Sequence, residues 1–263
     1  MSLDFLKHTR EFQNLVATLE EGRKGVRISG LVPAAKPYFL SLLRQVIRKP
    51  IVLIRPAEAD LSGFAQECRT HFSLLGSDEE PGVLPPLSES LDPEIPPSLE
   101  AVSSRMFFLR RLLKEMPSVC VTNLLGISRA LPHPRFLPEL FLEFESGESL
   151  GRDRLIRRLS AFGYTRQDLV NSPGEFAARG GIVDVFSPWE THPSRVEFSA
   201  DRVASVREFH PSTQRSFRKI LRLTIPSLRE HPFEDEPPGN DAGEECVPFD
   251  TLCGEALLVA EEF

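Results

Sequence analysis

Between residues 26 and 131 short apolar runs alternate with stretches of helical spacing, and after about residue 149 that alternation gives way to one strand-like run after another. Such a switch rules out a single repeating architecture. Strand-like runs at Val26–Ser29, Ile51–Ile54 and Val119–Thr122 are separated by helices expected over about 37–48, 58–72 and 98–115. An amphipathic helix is expected at 3–19 and a short one at 124–131. Strand–helix alternation implies a parallel sheet covered by helices. The Pro-rich stretch 81–97 reads as loop, because proline has no N–H to give a ladder. After a strand at 140–145 and a helix at 152–162 come Arg166–Val170, Glu175–Arg179, Gly181–Phe186, Arg195–Phe198, Val203–Phe209 and Phe217–Ile225. Connections as short as Gly180-Gly181 and Ala200-Asp201 favour antiparallel hairpins. The expected fold is α/β: a parallel-sheet domain at 1–148 with an inserted antiparallel α+β domain at 149–225. Residues 226–263 then hold an acidic linker (229–248) and a strand, Ala256–Ala260, that returns to the first sheet.

The net charge of −7 conceals an asymmetry. Residues 230–263 carry eleven acids and no Lys or Arg, so 1–229 has a net +4, and 151–223 alone has +5. The middle of the chain is therefore suited to an acidic partner. No apolar run approaches the roughly 20 residues that span a bilayer, and the start Met1-Ser-Leu-Asp-Phe has no signal-peptide h-region. No membrane partner and a cytoplasmic location are expected. Cys68 and Cys120 lie in apolar runs, and Cys246 and Cys253 lack zinc or redox spacing, so no metal or other cofactor is expected.

The first strand–helix unit has the outline of a phosphate loop without its chemistry. A working loop needs G-x-x-x-x-G-K-[ST]. Here Gly30 and Lys36 stand at the right spacing, but Ala35 replaces the second Gly, where bare backbone approaches phosphate. Pro37 replaces the Mg²⁺-binding Ser/Thr and has no N–H. The parallel-sheet domain is thus expected to be degenerate P-loop-NTPase-like, with no hydrolysis. A Gly and a Lys alone are also what chance supplies.

Other catalytic readings are no better supported. Asp184 followed by Glu197 has the outline of a metal-dependent nuclease pair, yet Ser199 stands where such a site needs Lys. His192, His210 and His231 each precede Pro and read as turn residues with capped or solvated rings. No G-x-S-x-G, H-E-x-x-H or C-x-x-C is present.

The run from Phe162 to Trp189 contains G-Y-T-R-Q-D-L-V and P-G-E-F-A-A-R-G-G-I-V-D-V-F, followed by H-P-S-R-V-E-F and T-Q-R-S up to Ser216. This pattern resembles the UvrB-like region of the bacterial transcription-repair coupling factors. More weakly, Val119-Cys-Val-Thr-Asn and Phe249–Glu262 are similar to neighbouring elements of that family. The resemblance implies a UvrB-like domain split by an inserted domain that docks the damage-recognition ATPase UvrA. By position in the motif it implies UvrA contacts at Arg166, Arg179 and Phe186, with Glu175 and Phe176 beside them. Arg is suited to carboxylates across an interface, and Arg and aromatic residues dominate binding hot spots.

Core roles stand beside these for Phe176 and Phe186, and Arg195 and Arg207 read as solvated strand-face charges. Gly174, Gly180 and Gly181 read as turn residues. The family is an ATP-dependent DNA translocase with RNA polymerase and DNA as further partners, through regions absent from these 263 residues. On that resemblance the chain is expected to be an N-terminal fragment or a stand-alone relative. The expected function is a non-catalytic docking module. The alternatives are a weak, non-specific DNA-binding module using 151–223, a relative of the excinuclease component UvrB, and a residual nucleotide-binding enzyme.

Overall fold

A computed structural model describes residues 5–22, 26–88, 97–230, 246–249, 251, 254 and 256–261. The early elements are α1 (Arg10–Glu20), α2 (Lys36–Ile47), β1 (Ile51–Arg55), α3 (Leu61–Leu74), β2 (Gly82–Leu84), α4 (Leu99–Leu112), β3 (Val119–Asn123) and the single turn α5 (Leu124–Ile127). Then come β4 (Leu131–Pro132), β5 (Phe141–Glu145), α6 (Arg152–Ala161), β6 (Thr165–Arg166), β7 (Glu175–Arg179), β8 (Ile182–Val185) and β9 (Ser194–Ser199). The last are β10 (Arg202–Phe209), β11 (Ser216–Ile220), β12 (Arg222–Pro226), β13 (Cys246–Val247) and β14 (Leu257–Ala260). The chain forms two compact units, one from Met1–Glu89, Lys114–Arg129 and Pro248–Phe263, the other from Ser90–Leu113 and Ala130–Val247. No helix among the described residues is long and apolar enough to cross a membrane.

The first unit is built on a parallel sheet in the order β14-β1-β3-β2. Strands β1 and β3 are read in sequence as unbroken apolar runs because both their faces are covered. Ile51, Leu53, Val119 and Val121 pack with Leu42 and Leu43 of α2 and Cys68 and Phe72 of α3. Thr9 caps α1 through its hydroxyl on the Phe12 N–H, and Asp60 caps α3 by accepting from the Gly63 N–H at 2.8 Å. The returning strand forms as expected, with Leu257 to Ala260 in register with Ile51 to Ile54.

Two expectations fail in this unit. Val26–Ser29 is not a strand: it belongs to no sheet, and Val26 and Ile28 are exposed. Its apolar residues carry strand propensity, but a strand exists only where a partner's backbone meets it. Conversely, Gly82–Leu84, inside the stretch read as loop, pairs with Cys120 to Thr122. It is an edge strand flanked by Pro81 and Pro85, where the missing N–H groups interrupt no central ladder.

The second unit has a six-stranded sheet in the order β11-β10-β9-β8-β7-β6, antiparallel except for the β6–β7 pair. Both anticipated hairpins form, at Gly180-Gly181 and at Ala200-Asp201. Gly180 adopts φ +54°, a left-handed value that suits a residue without Cβ. One face, with Phe176, Val183, Val185, Val196 and Val206, packs on Leu155 and Leu159 of α6.

Here too the strands differ in detail from the periodic reading. Of the expected Arg166–Val170 strand only Arg166 pairs, in a two-residue strand with Thr165, because Val170 turns in to meet Ala177, Phe186 and Phe209. The expected Phe217–Ile225 strand divides at the exposed Leu221. Strand β11 stays in the large sheet while β12 pairs with β5. Helix α4, assigned from sequence to the first domain, packs within the second unit. The Trp189 indole N–H donates to the Ser103 carbonyl at 3.1 Å, and Arg105 is buried in an ion pair with Glu230. Cys253, His231 and most of the acidic linker lie outside the described residues.

Candidate functional site

The second face of the six-stranded sheet is the one that α6 leaves uncovered. Strand alternation puts Asp184 on it, between inward-facing Val183 and Val185. Its cross-strand neighbours are Ala177 on β7 and Arg195 on β9. The Arg195 guanidinium grips the carboxylate in a fork, Nε on Oδ1 and Nη2 on Oδ2, both at 2.8 Å. Arg179, two residues along from Ala177, adds Nη2 to Oδ2 at 3.3 Å. The small Ala177 leaves room for that reach.

Asp184 is 1% exposed, so this is a buried anion held by two cations. Hydrogen bonding to Asp184 raises the pKa of Arg195 above its usual range, outweighing partial burial. The same guanidinium lies 4.7 Å above the Phe209 ring and donates from Nη1 to the Gln214 carbonyl. Arg195 is therefore a fixed structural cation, contrary to its reading as a solvated strand-face charge. Asp184 and Glu197 do not form a common acidic site. Both Asp184 oxygens accept from guanidinium, and Glu197 accepts from the Ser205 hydroxyl at 2.6 Å.

The register continues the row outward, from Asp184 to Arg195, to Arg207 on β10, to Lys219 on β11. Adjacent strands lie about 4.8 Å apart. Arg207 and Lys219 thus stand side by side as exposed like charges, an arrangement that costs stability. Among the described residues neither takes part in an ion pair. Together with Arg179, which is 52% exposed, they give this face its cationic character.

The residues implied by the family resemblance fall in different places. Arg179 is on this face. Arg166 is exposed on β6, but its register partner is Phe176, so it projects on the α6 side of the sheet. The two arginines do not make the joint patch that adjacent strands would suggest, because residues three apart on β7 point to opposite faces. Phe176 is buried in the main core, and Phe186 in the small cluster with Val170, Ala177 and Phe209. Glu175 accepts from the N–H groups of Asn171 and Ser172 at 2.8 and 2.9 Å and so shapes the 170–174 loop, which closes through Gly174 at φ +86°.

The roles of Asp184, Arg195 and Lys219 were missed from sequence. The only signal was a lone acid alternating with valines, which gains meaning once its cross-strand partner is known. His192 and His210 are not separate turn residues either. Their ring centroids are 5.5 Å apart, and His210 stacks on Phe217 at 4.3 Å.

In the first unit Gly30 adopts φ +86°, Ala35 ends a 3-10 turn, and Lys36 and Pro37 open α2. The Lys36 ammonium lies 3.1 Å from Glu261.

Comparison with known proteins gives a consistent result. Residues 142–231 match the UvrB interaction domain family. The chain is 30% identical over 86% of its length to the transcription-repair-coupling factor of Bacillus subtilis, and equally to that of Myxococcus xanthus. It is 27% identical over 78% of its length to UvrABC system protein B of Thermus thermophilus. It spans 19% of each coupling factor and 32% of the UvrB protein.

Proposed function

This chain is a relative of the transcription-repair-coupling factors that carries a UvrB interaction domain, and from that premise we propose that it is a non-catalytic docking module for UvrA in nucleotide-excision repair. The observation that carries the proposal is the cationic outer face of the six-stranded sheet, which lies inside the matched 142–231 segment. Arg179 and Arg207 are its contact residues, with Arg166 a further contact on the edge strand. Glu175, Phe176 and Phe186 act from beneath, by holding the loop and strands that present the arginines. Arg207, with Lys219 beside it, steers encounter more than it adds affinity, whereas Arg179 and Arg166 contribute directly to affinity.

The dismantled loop supports the non-catalytic half of the proposal. Ala35 brings a Cβ where backbone must meet phosphate, and Pro37 supplies neither N–H nor metal ligand. The test is capture of UvrA by the immobilised chain, in parallel with labelled duplex DNA over a salt series. Saturable UvrA binding lost in Arg179→Ala supports the reading. Tight DNA binding that persists at physiological salt, with none to UvrA, replaces it.

A further inference from the structure

We infer that the free edge of the six-stranded sheet, strand β11, takes up an extended acidic segment of the docking partner as a seventh strand. The inference rests on reading the outer sheet face as a docking face, and adds how the partner engages it.

Strand β11 ends the sheet, and among the described residues no other strand pairs with its far side. It is five residues long, whereas β6 at the opposite edge has two. Ser216 to Lys219 are all exposed. A strand so placed presents unpaired N–H and C=O groups that another chain can meet.

Charge decides which chain. The row of paired residues across the outer face runs Asp184, Arg195, Arg207, Lys219. It starts on an anion and stops on adjacent cations. A carboxylate beside Lys219, on an added strand, would end the row as it begins. A second copy of β11 cannot supply it, because antiparallel self-pairing centred on Arg218 and Lys219 sets cation against cation. A Lys on an edge strand can also serve only to keep other chains away. That role needs one charge at the edge and does not account for Arg207 directly opposite, a pairing that costs stability. Arg218 projects to the other side of the sheet and is held by Glu208, Nη2 to Oε1 at 2.6 Å. Lys219 is therefore the charge that the edge offers.

Phe217 and Leu221 leave apolar surface at both ends of this edge, 47% and 75% exposed. The Phe217 ring is braced by stacking on His210 at 4.3 Å. The matching segment thus carries an acid with apolar residues flanking it. In strand addition main-chain hydrogen bonds supply affinity and the side chains supply selectivity.

The probe is the capped peptide Thr-Val-Thr-Glu-Thr-Val-Thr, titrated against the full chain and followed by backbone amide exchange. Binding should slow exchange within Ser216–Ile220, and the same peptide with Lys in place of Glu should bind at least tenfold more weakly. An added strand pairs along one edge only, through alternate residues. N-methylation of the threonines, or else of the valines and glutamate, should therefore abolish binding while the other pattern is tolerated. Lys219→Glu, whose carboxylate faces Arg207, should fold and lose the preference for the acidic peptide. That peptide should also displace UvrA from the wild-type chain. No protection within Ser216–Ile220, methylation patterns that act alike, or an acid preference that survives Lys219→Glu overturns the inference, as does peptide binding that leaves captured UvrA in place. Failure to capture UvrA at all sinks the docking reading instead, and the titration with peptide alone tells the two failures apart.

Discussion

Arg195 holds Asp184 by two parallel hydrogen bonds of 2.8 Å across adjacent strands, and this pair sets the chemistry of the outer sheet face. A bidentate fork satisfies both carboxylate oxygens with fixed geometry. Arg179 is left with a single longer bond of 3.3 Å, so most of its donors face outward. The buried acid thus spends itself on the inner cation and aims the outer one.

Asp184→Ala should lower unfolding stability by about 2–3 kcal/mol, below the upper range for broken buried pairs because Arg195 retains some solvent contact. Arg179→Ala, at a half-exposed position, should change it by less than about 1 kcal/mol. Urea unfolding of the two variants checks the ranking. Equal effects would mean that Arg195 does not dominate the pair.

Arg179→Ala should weaken UvrA binding at least tenfold, which needs only about 1.4 kcal/mol. Arg166→Ala should do the same, and the two losses should add, since the side chains project on opposite sides of the sheet. Arg207→Ala and Lys219→Ala should mainly slow association and flatten its salt dependence. Arg202→Ala, whose side chain donates to the Gly147 carbonyl at a turn, should bind as wild type. Normal UvrA affinity in folded Arg166→Ala and Arg179→Ala would remove both from the site.

Glu230→Ala should destabilise the second unit by roughly 3–5 kcal/mol, because it leaves a buried guanidinium without its anion. Arg105 is fully buried and Glu230 nearly so, joined through Arg105 Nε and, at 3.4 Å, Nη2. Replacing both by apolar residues of similar volume should recover most of the loss. Thermal melts of the single and double variants distinguish a working ion pair from a merely tolerated one.

Stability should hold to about pH 9 and then fall. Burial pushes the Cys68 thiol from 9.0 up to about 12, outweighing its hydrogen bond with Ser41. Burial also raises the Tyr164 phenol above its ordinary 10.0, against a hydrogen bond with Ser187. Both groups are neutral in the fold. A raised folded pKa contributes stability that is whole below the unfolded pKa and is lost as pH rises toward the folded one. Melting temperatures from about pH 7 to 11 read this directly, and Tyr164→Phe should lessen the alkaline loss in the second unit. A flat profile across that window would contradict it.

Much of the architecture was legible in the sequence because it is written in local periodicity. The helices, the buried strands at 51 and 119 and the Gly180-Gly181 hairpin all follow from side-chain spacing and turn chemistry within a few residues.

Register and allegiance were settled only by the tertiary structure. Whether Arg166 and Arg179 share a face depends on pairing Arg166 with Phe176, and a slip of one residue would reverse it. Val26–Ser29 has a strand's composition but no partner in a sheet, whereas Gly82–Leu84, between prolines, has one. Asp184 meets Arg195 eleven residues away, Arg105 meets Glu230 across 125, and Arg55 meets Glu261 across 206. Such pairs leave no periodic trace, because side chains distant in sequence are brought together only when the packed core fixes where each strand lies.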